Sequence, residues 1–151
     1  MRRWEIFLWV VAPSLLSSLF VFVPLENFVS AYPVPWVFTW YIPWRGAVAA
    51  LTLWLVTGLT YSDKRYWLKL AFLGSAVAFL GYHYMTLLAV SARVRVVVLP
   101  LFYLVGEPSP LYLDLGQVVA IVTAAAFRRE LAGLVGRPGA RVSGGTSPRT
   151  A

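Results

Sequence analysis

The chain has 151 residues, of which 60% are hydrophobic and 13% charged, against roughly 45–50% apolar and about 25% charged in an ordinary soluble domain. A body of this size hides only about 70% of the surface its unfolded chain exposes, so this much apolar surface calls for lipid as its solvent. A soluble enzyme, a disordered regulator and a disulfide-stapled secreted domain are thereby set aside, the last also because there is no cysteine.

A helix crosses a hydrocarbon layer roughly 30 Å thick with about 20 apolar residues, about 17 being the practical floor. In chain order the first such stretch is residues 6–23, free of charge and interrupted only by Pro13. It follows Arg2 and Arg3 as a secretory signal would, but it outruns the roughly 7–15 residues of a signal core, so a retained first span is expected. The loop from Pro24 to Pro43 is rich in proline and aromatics, and together with the adjoining Trp44 it presents Trp36 and Trp40. Such rings settle at headgroup level. They are also the residue types that anchor partner subunits or a lipophilic ligand such as a quinone.

Residues 46–61 form the shortest expected span and 70–92 the longest. Beyond it, Arg93 and Arg95 stand two positions apart and would point to nearly opposite sides of a helix. Placing both in hydrocarbon costs at least about 2.5–3.5 kcal/mol each, so residues 93–105 are expected as a helix or extended piece lying in the outer interface. The fourth span is expected at 111–127, entered through Ser109-Pro110, a cap followed by a first-turn proline, and closed by Arg128 and Arg129. From Gly133 the composition turns to Gly, Pro, Ser, Thr and Arg, which cannot pack a core. Residues 1–132 are therefore expected as the transmembrane domain and 133–151 as a flexible cytoplasmic tail.

The expected fold is all-α: an integral membrane bundle of four transmembrane helices with outer-face interfacial segments. An even number of spans puts both termini on one side. Ten of the 13 Lys and Arg then fall on the terminal side, with Arg45, Arg93 and Arg95 opposite, which makes the termini cytoplasmic and the protein a multi-pass component of the cell membrane. The six acidic residues divide evenly, so the whole net charge of +7 lies on the inner face. The basicity is topological and points to anionic lipid rather than to nucleic acid. Small residues four apart, Gly46 and Ala50, Gly74 and Ala78, Ala120 and Ala124, allow close helix approach.

The inventory limits the chemistry. Without cysteine and with one histidine the chain alone offers no thiol nucleophile, no Cys/His zinc site and no bis-histidine haem. No catalytic residue and no metal site is assigned. His83, an ionisable group inside a span, is either a hydrogen-bonded neutral imidazole, a proton or quinone contact, or one axial haem ligand completed by another subunit. Asp114 and Gln117 lie three apart and share a helix face. Asp114 either sits at the hydrated, dipole-favoured start of its helix or joins Gln117 and His83 in one polar site, with Arg45, Arg93 or Arg95 as counter-charges.

Three functions follow as expectations. The leading one is a non-catalytic accessory or structural subunit of a larger membrane complex, embedded in the bilayer beside other membrane subunits or copies of itself. The second is a small homo-oligomeric transporter or channel built around Asp114, Gln117 and His83. The third is a quinone- or haem-linked redox membrane protein using His83.

Overall fold

The computed structural model describes residues 3–25, 40–62, 64–108 and 110–135. Trp36 and residues 136–151 of the expected tail lie outside the described residues. The chain is mostly helical. Three helices, α1 (Arg3–Phe20), α2 (Tyr41–Leu59) and α3 (Tyr66–Ser91), are long and apolar enough to cross a membrane. Two shorter ones, α4 (Leu115–Ala126) and α5 (Arg128–Val135), close the described part. Between α3 and α4 stand three strands, β1 (Val96–Leu99), β2 (Phe102–Val105) and β3 (Leu111–Leu113).

The strands correct the all-α expectation. Residues 93–105 take the extended alternative rather than the helical one, and they pair: β1 and β2 form an antiparallel hairpin, and β3 adds to β2 with Phe102 opposite Leu113. The β-branched run Val96-Val97-Val98 favours strand over helix because two heavy atoms on Cβ crowd a helical turn. Leu99 pairs with Phe102 across a two-residue turn, Pro100-Leu101, where Leu101 has a φ of 64°. Proline followed by a residue of positive φ is the pattern of a type II turn, and a leucine in the second place is strained.

The expected fourth span is also shorter than its apolar run. Residues 111–113 belong to β3, and the helix begins only after Asp114, whose side chain accepts from the Gln117 backbone N–H and so acts as the N-cap. The expected start at Ser109-Pro110 is therefore displaced, because three apolar residues find strand partners before a capping side chain appears. With 12 residues α4 is about 18 Å long. The expected change to a flexible tail at Gly133 falls inside α5, which continues to Val135.

Helix α3 is the hub, packed against α1, α2 and α4. Small residues set the distances. A Cβ on Gly74 would run into the Val10 carbonyl of α1, and one on Gly46 would lie 2.7 Å from the Tyr82 ring. The buried core is correspondingly made of Ala47, Ala50, Ala76 and Ala78 with Phe79 and Val119. Polar side chains tie the helices where the backbones are close: Ser18 Oγ and Tyr82 Oη lie 2.6 Å apart, and Trp54 Nε1 donates to Thr123 Oγ1 at 3.0 Å. The outward faces are apolar, with Phe7, Leu15 and Leu19 of α1, Leu59 of α2, Leu88 of α3 and Ile121 of α4 exposed. Lipid solvates such a surface, whereas water leaves it an aggregation liability.

Candidate functional site

Three residues singled out by the sequence meet where the sheet joins the helices. Asp114, fully buried between β3 and α4, places Oδ1 2.9 Å from His83 Nε2 on α3 and 3.1 Å from the Gln117 backbone nitrogen. Its Oδ2 accepts from Gln117 Nε2 at 3.0 Å and from Tyr84 Oη at 3.4 Å. A carboxylate offers about four lone-pair positions, so these donors occupy all of them. The Asp114 N–H in turn donates to the Leu101 carbonyl at 2.8 Å.

Gln117 extends the clasp to the hairpin turn. Its Nε2 donates to the Leu99 carbonyl at 2.8 Å, and its Oε1 accepts the Leu101 N–H at 2.8 Å. One amide thus holds both sides of the turn in which Leu101 is strained. Gly116 makes room for the arrangement, since a Cβ there would lie 2.6 Å from His83 Cδ2.

Burial pushes the Asp114 carboxyl up, but the Gln117 backbone and side-chain donors and then His83 outweigh it, and the group titrates below its ordinary value. An ionised carboxylate only accepts, so His83 Nε2 carries the proton of their hydrogen bond. That leaves Nδ1, which has no partner among the described residues. Tyr103 on β2 packs edge-on to the imidazole at 6.4 Å between ring centres and is stacked on Tyr112. Burial, then the Asp114 charge, then Tyr112 raise the Tyr103 phenol above its ordinary value.

His83 also lines a half-open cavity of about 190 Å³ whose other walls include Trp44, Phe79, Thr86, Tyr103 and Leu113. The walls are chiefly apolar, and the imidazole is the titratable heterocycle among them. A space of this kind admits a small lipophilic group that accepts or donates one hydrogen bond.

The arginines do not join the site. Arg45, with 2% of its surface exposed, donates from Nη1 to the Val21 carbonyl just past the end of α1, where a cation opposes the helix dipole. Arg93 and Arg95 are exposed between α3 and β1. The counter-charge expected from an arginine is supplied instead by amide donors and His83. Of the tryptophans, Trp40 stacks on Tyr41 at 3.8 Å and Trp44 borders the cavity. Tyr84 and Tyr103 were not picked out by sequence. Tyr84 stands beside His83 in the chain, a usable signal, whereas Tyr103 arrives through strand pairing, which spacing does not reveal.

Among the described residues no group of three or more His, Cys, Asp and Glu side chains is placed to hold a metal ion. Comparison with protein-family models, with curated proteins and with solved structures finds no match. What stands is the class: a mostly helical chain with three helices of membrane-crossing length and apolarity.

Proposed function

We propose that this chain is a small polytopic integral membrane protein that serves as a non-catalytic, structural subunit of a larger membrane complex. The observation that carries the reading is the closure of the Asp114 carboxylate by donors of its own chain. A transported ion needs an oxygen with a free lone pair, and a catalytic acid needs access to substrate; Asp114 is fully buried. The network works as a clasp between the sheet and the helices. Exposed apolar side chains on the sheet, among them Val98, Leu111 and Leu113, give a partner a surface to meet. In this reading α4 is the fourth helix of the bundle, its 12 residues crossing only where the bilayer thins around so short a span, the sheet lies at the outer face, and both termini are cytoplasmic in the cell membrane.

Gentle detergent extraction followed by a native gel tests it. Stoichiometric co-migration with other chains is the expected result; a monodisperse lone protomer in several mild detergents overturns it.

A second reading, a lipid-soluble redox ligand of quinone type at His83, is favoured by the cavity and by the unpartnered Nδ1. A quinone that co-extracts with the native protein and is lost from His83→Phe supports it; extraction free of any quinone removes it.

A further inference from the structure

At the end of the helices away from the sheet, two cavities adjoin. One, of about 290 Å³, is lined by Tyr61, Ala125, Ala126, Arg128, Arg129 and Glu130. The other, of about 330 Å³, is apolar and runs between α2 and α4 past Leu55, Gly58, Leu59 and Val122. They share Tyr61 and Ala126. A polar chamber beside an apolar groove has the outline of an amphiphile.

Charge and hydrogen bonding narrow the occupant. Glu130 is countered by Lys69, whose Nζ lies 2.8 Å from its carboxylate and 5.8 Å from the centre of the Tyr61 ring. Among the described residues around the chamber, Arg128, Arg129 and Lys69 stand against the one carboxylate of Glu130, an excess of positive charge. Arginine suits phosphate because its planar fork donates in pairs. At the shared wall stands Tyr61, whose hydroxyl is the buried side-chain polar atom without a hydrogen-bond partner among the described residues. Leaving such a group unsatisfied costs about 1–3 kcal/mol, which a ligand oxygen removes once the ring tips its hydroxyl into the chamber.

We propose that these two cavities form one binding site for a phospholipid with a net negative headgroup. Its phosphate lies between Arg128 and Arg129, Tyr61 donates to a phosphate or ester oxygen, and an acyl chain occupies the groove between α2 and α4. Positive charge selects the anionic headgroup, and the groove selects a lipid over a free phosphate. The inference goes beyond the subunit reading: it requires the helices to lie in a bilayer and does not require partner chains.

The full chain, stripped of lipid in detergent, is titrated with short-chain phosphatidylglycerol, phosphatidylcholine or glycerol phosphate. Native mass spectrometry and thermal unfolding provide the readouts. One phosphatidylglycerol is expected to bind saturably, at least tenfold more tightly than phosphatidylcholine, with glycerol phosphate giving no thermal shift. Arg128→Gln with Arg129→Gln should weaken phosphatidylglycerol at least tenfold, in keeping with the loss of charge-assisted hydrogen bonds. Tyr61→Phe should weaken it about fivefold through one lost hydrogen bond. The same variant should leave the lipid-free protein as stable as the parent or more so, because it removes an unpartnered hydroxyl. Equal binding of the two phospholipids, an unchanged lipid effect in Tyr61→Phe, or an equal shift from glycerol phosphate overturns the proposal. Recovery of the protein from cells without detergent instead defeats the membrane reading itself, and the two failures are told apart at the first extraction step.

Discussion

Asp114 does two jobs at once, and substitution separates them. As an N-cap it satisfies the Gln117 backbone N–H; as a charge it holds His83. Asparagine caps a helix about as well as aspartate, but its amide nitrogen turns a donor toward Gln117 Nε2 and Tyr84 Oη where an oxygen had accepted, so Asp114→Asn should cost about 1–2 kcal/mol. Alanine removes both functions and strands donors in a buried place, for an expected loss of about 2–4 kcal/mol. Thermal unfolding in one detergent ranks the two, and equal losses would dismiss the cap. Acid supplies an independent check. Because the folded carboxyl titrates below its ordinary 3.8, its contribution is complete above that value and disappears as the pH falls through the depressed one. Native protein should lose stability in that acid range, and Asp114→Asn should lose less. His83, Asp114 and Gln117 were legible as candidates because ionisable groups in apolar sequence are conspicuous. Their true partners were not. The link to Leu99 and Leu101 depends on a hairpin turn, and nothing in the spacing of arginines announces that Arg45 is turned toward the end of α1.

At the scale of elements, the long helices were readable from apolar length, with ends displaced by a few residues, and the small-residue pairs marked two real contacts. Gly46 faces Tyr82 and Gly74 faces Val10, whereas Ala124 is exposed, so the third pair packs no neighbour as closely. The strands were the harder part, since a short apolar run has no period that distinguishes a strand from a buried helical turn. Glycines of α3 provide a matched test of the packing. A Cβ at position 74 meets backbone of α1, which cannot swing aside, while position 81 has nothing within 4 Å. Gly74→Ala should therefore force α1 away and cost about 1–3 kcal/mol by overpacking. Gly81→Ala, by contrast, gains helix propensity and should stabilise by up to about 1 kcal/mol. Opposite signs for two identical substitutions in one helix are the result to look for in thermal unfolding.

For the whole molecule, the contacts between elements divide it into levels. The His83–Asp114 pair and the bond from Ser18 to Tyr82 lie toward one end; Lys69–Glu130 and the stacked Phe72 and Phe127 rings lie toward the other. The stretch of α3 from Tyr66 to His83 is about 25 Å long, near the roughly 30 Å of a hydrocarbon layer. The full 26 residues of α3 make about 39 Å, so its last turns overshoot and stand beside the sheet. On this scheme the sheet and its arginines emerge on one side of the membrane and α5 on the other. The natural absence of cysteine makes the arrangement simple to examine. Arg95 and Ala132 are both exposed, the first before β1 and the second in α5. In intact cells an impermeant maleimide should label Arg95→Cys at once and reach Ala132→Cys only after the membrane is opened, as the proposed cytoplasmic termini predict. Reversed accessibility would invert the orientation while keeping the fold. Labelling of both from outside would place α4 and α5 on the same side as the sheet, and the crossing assigned to α4 would have to be given up.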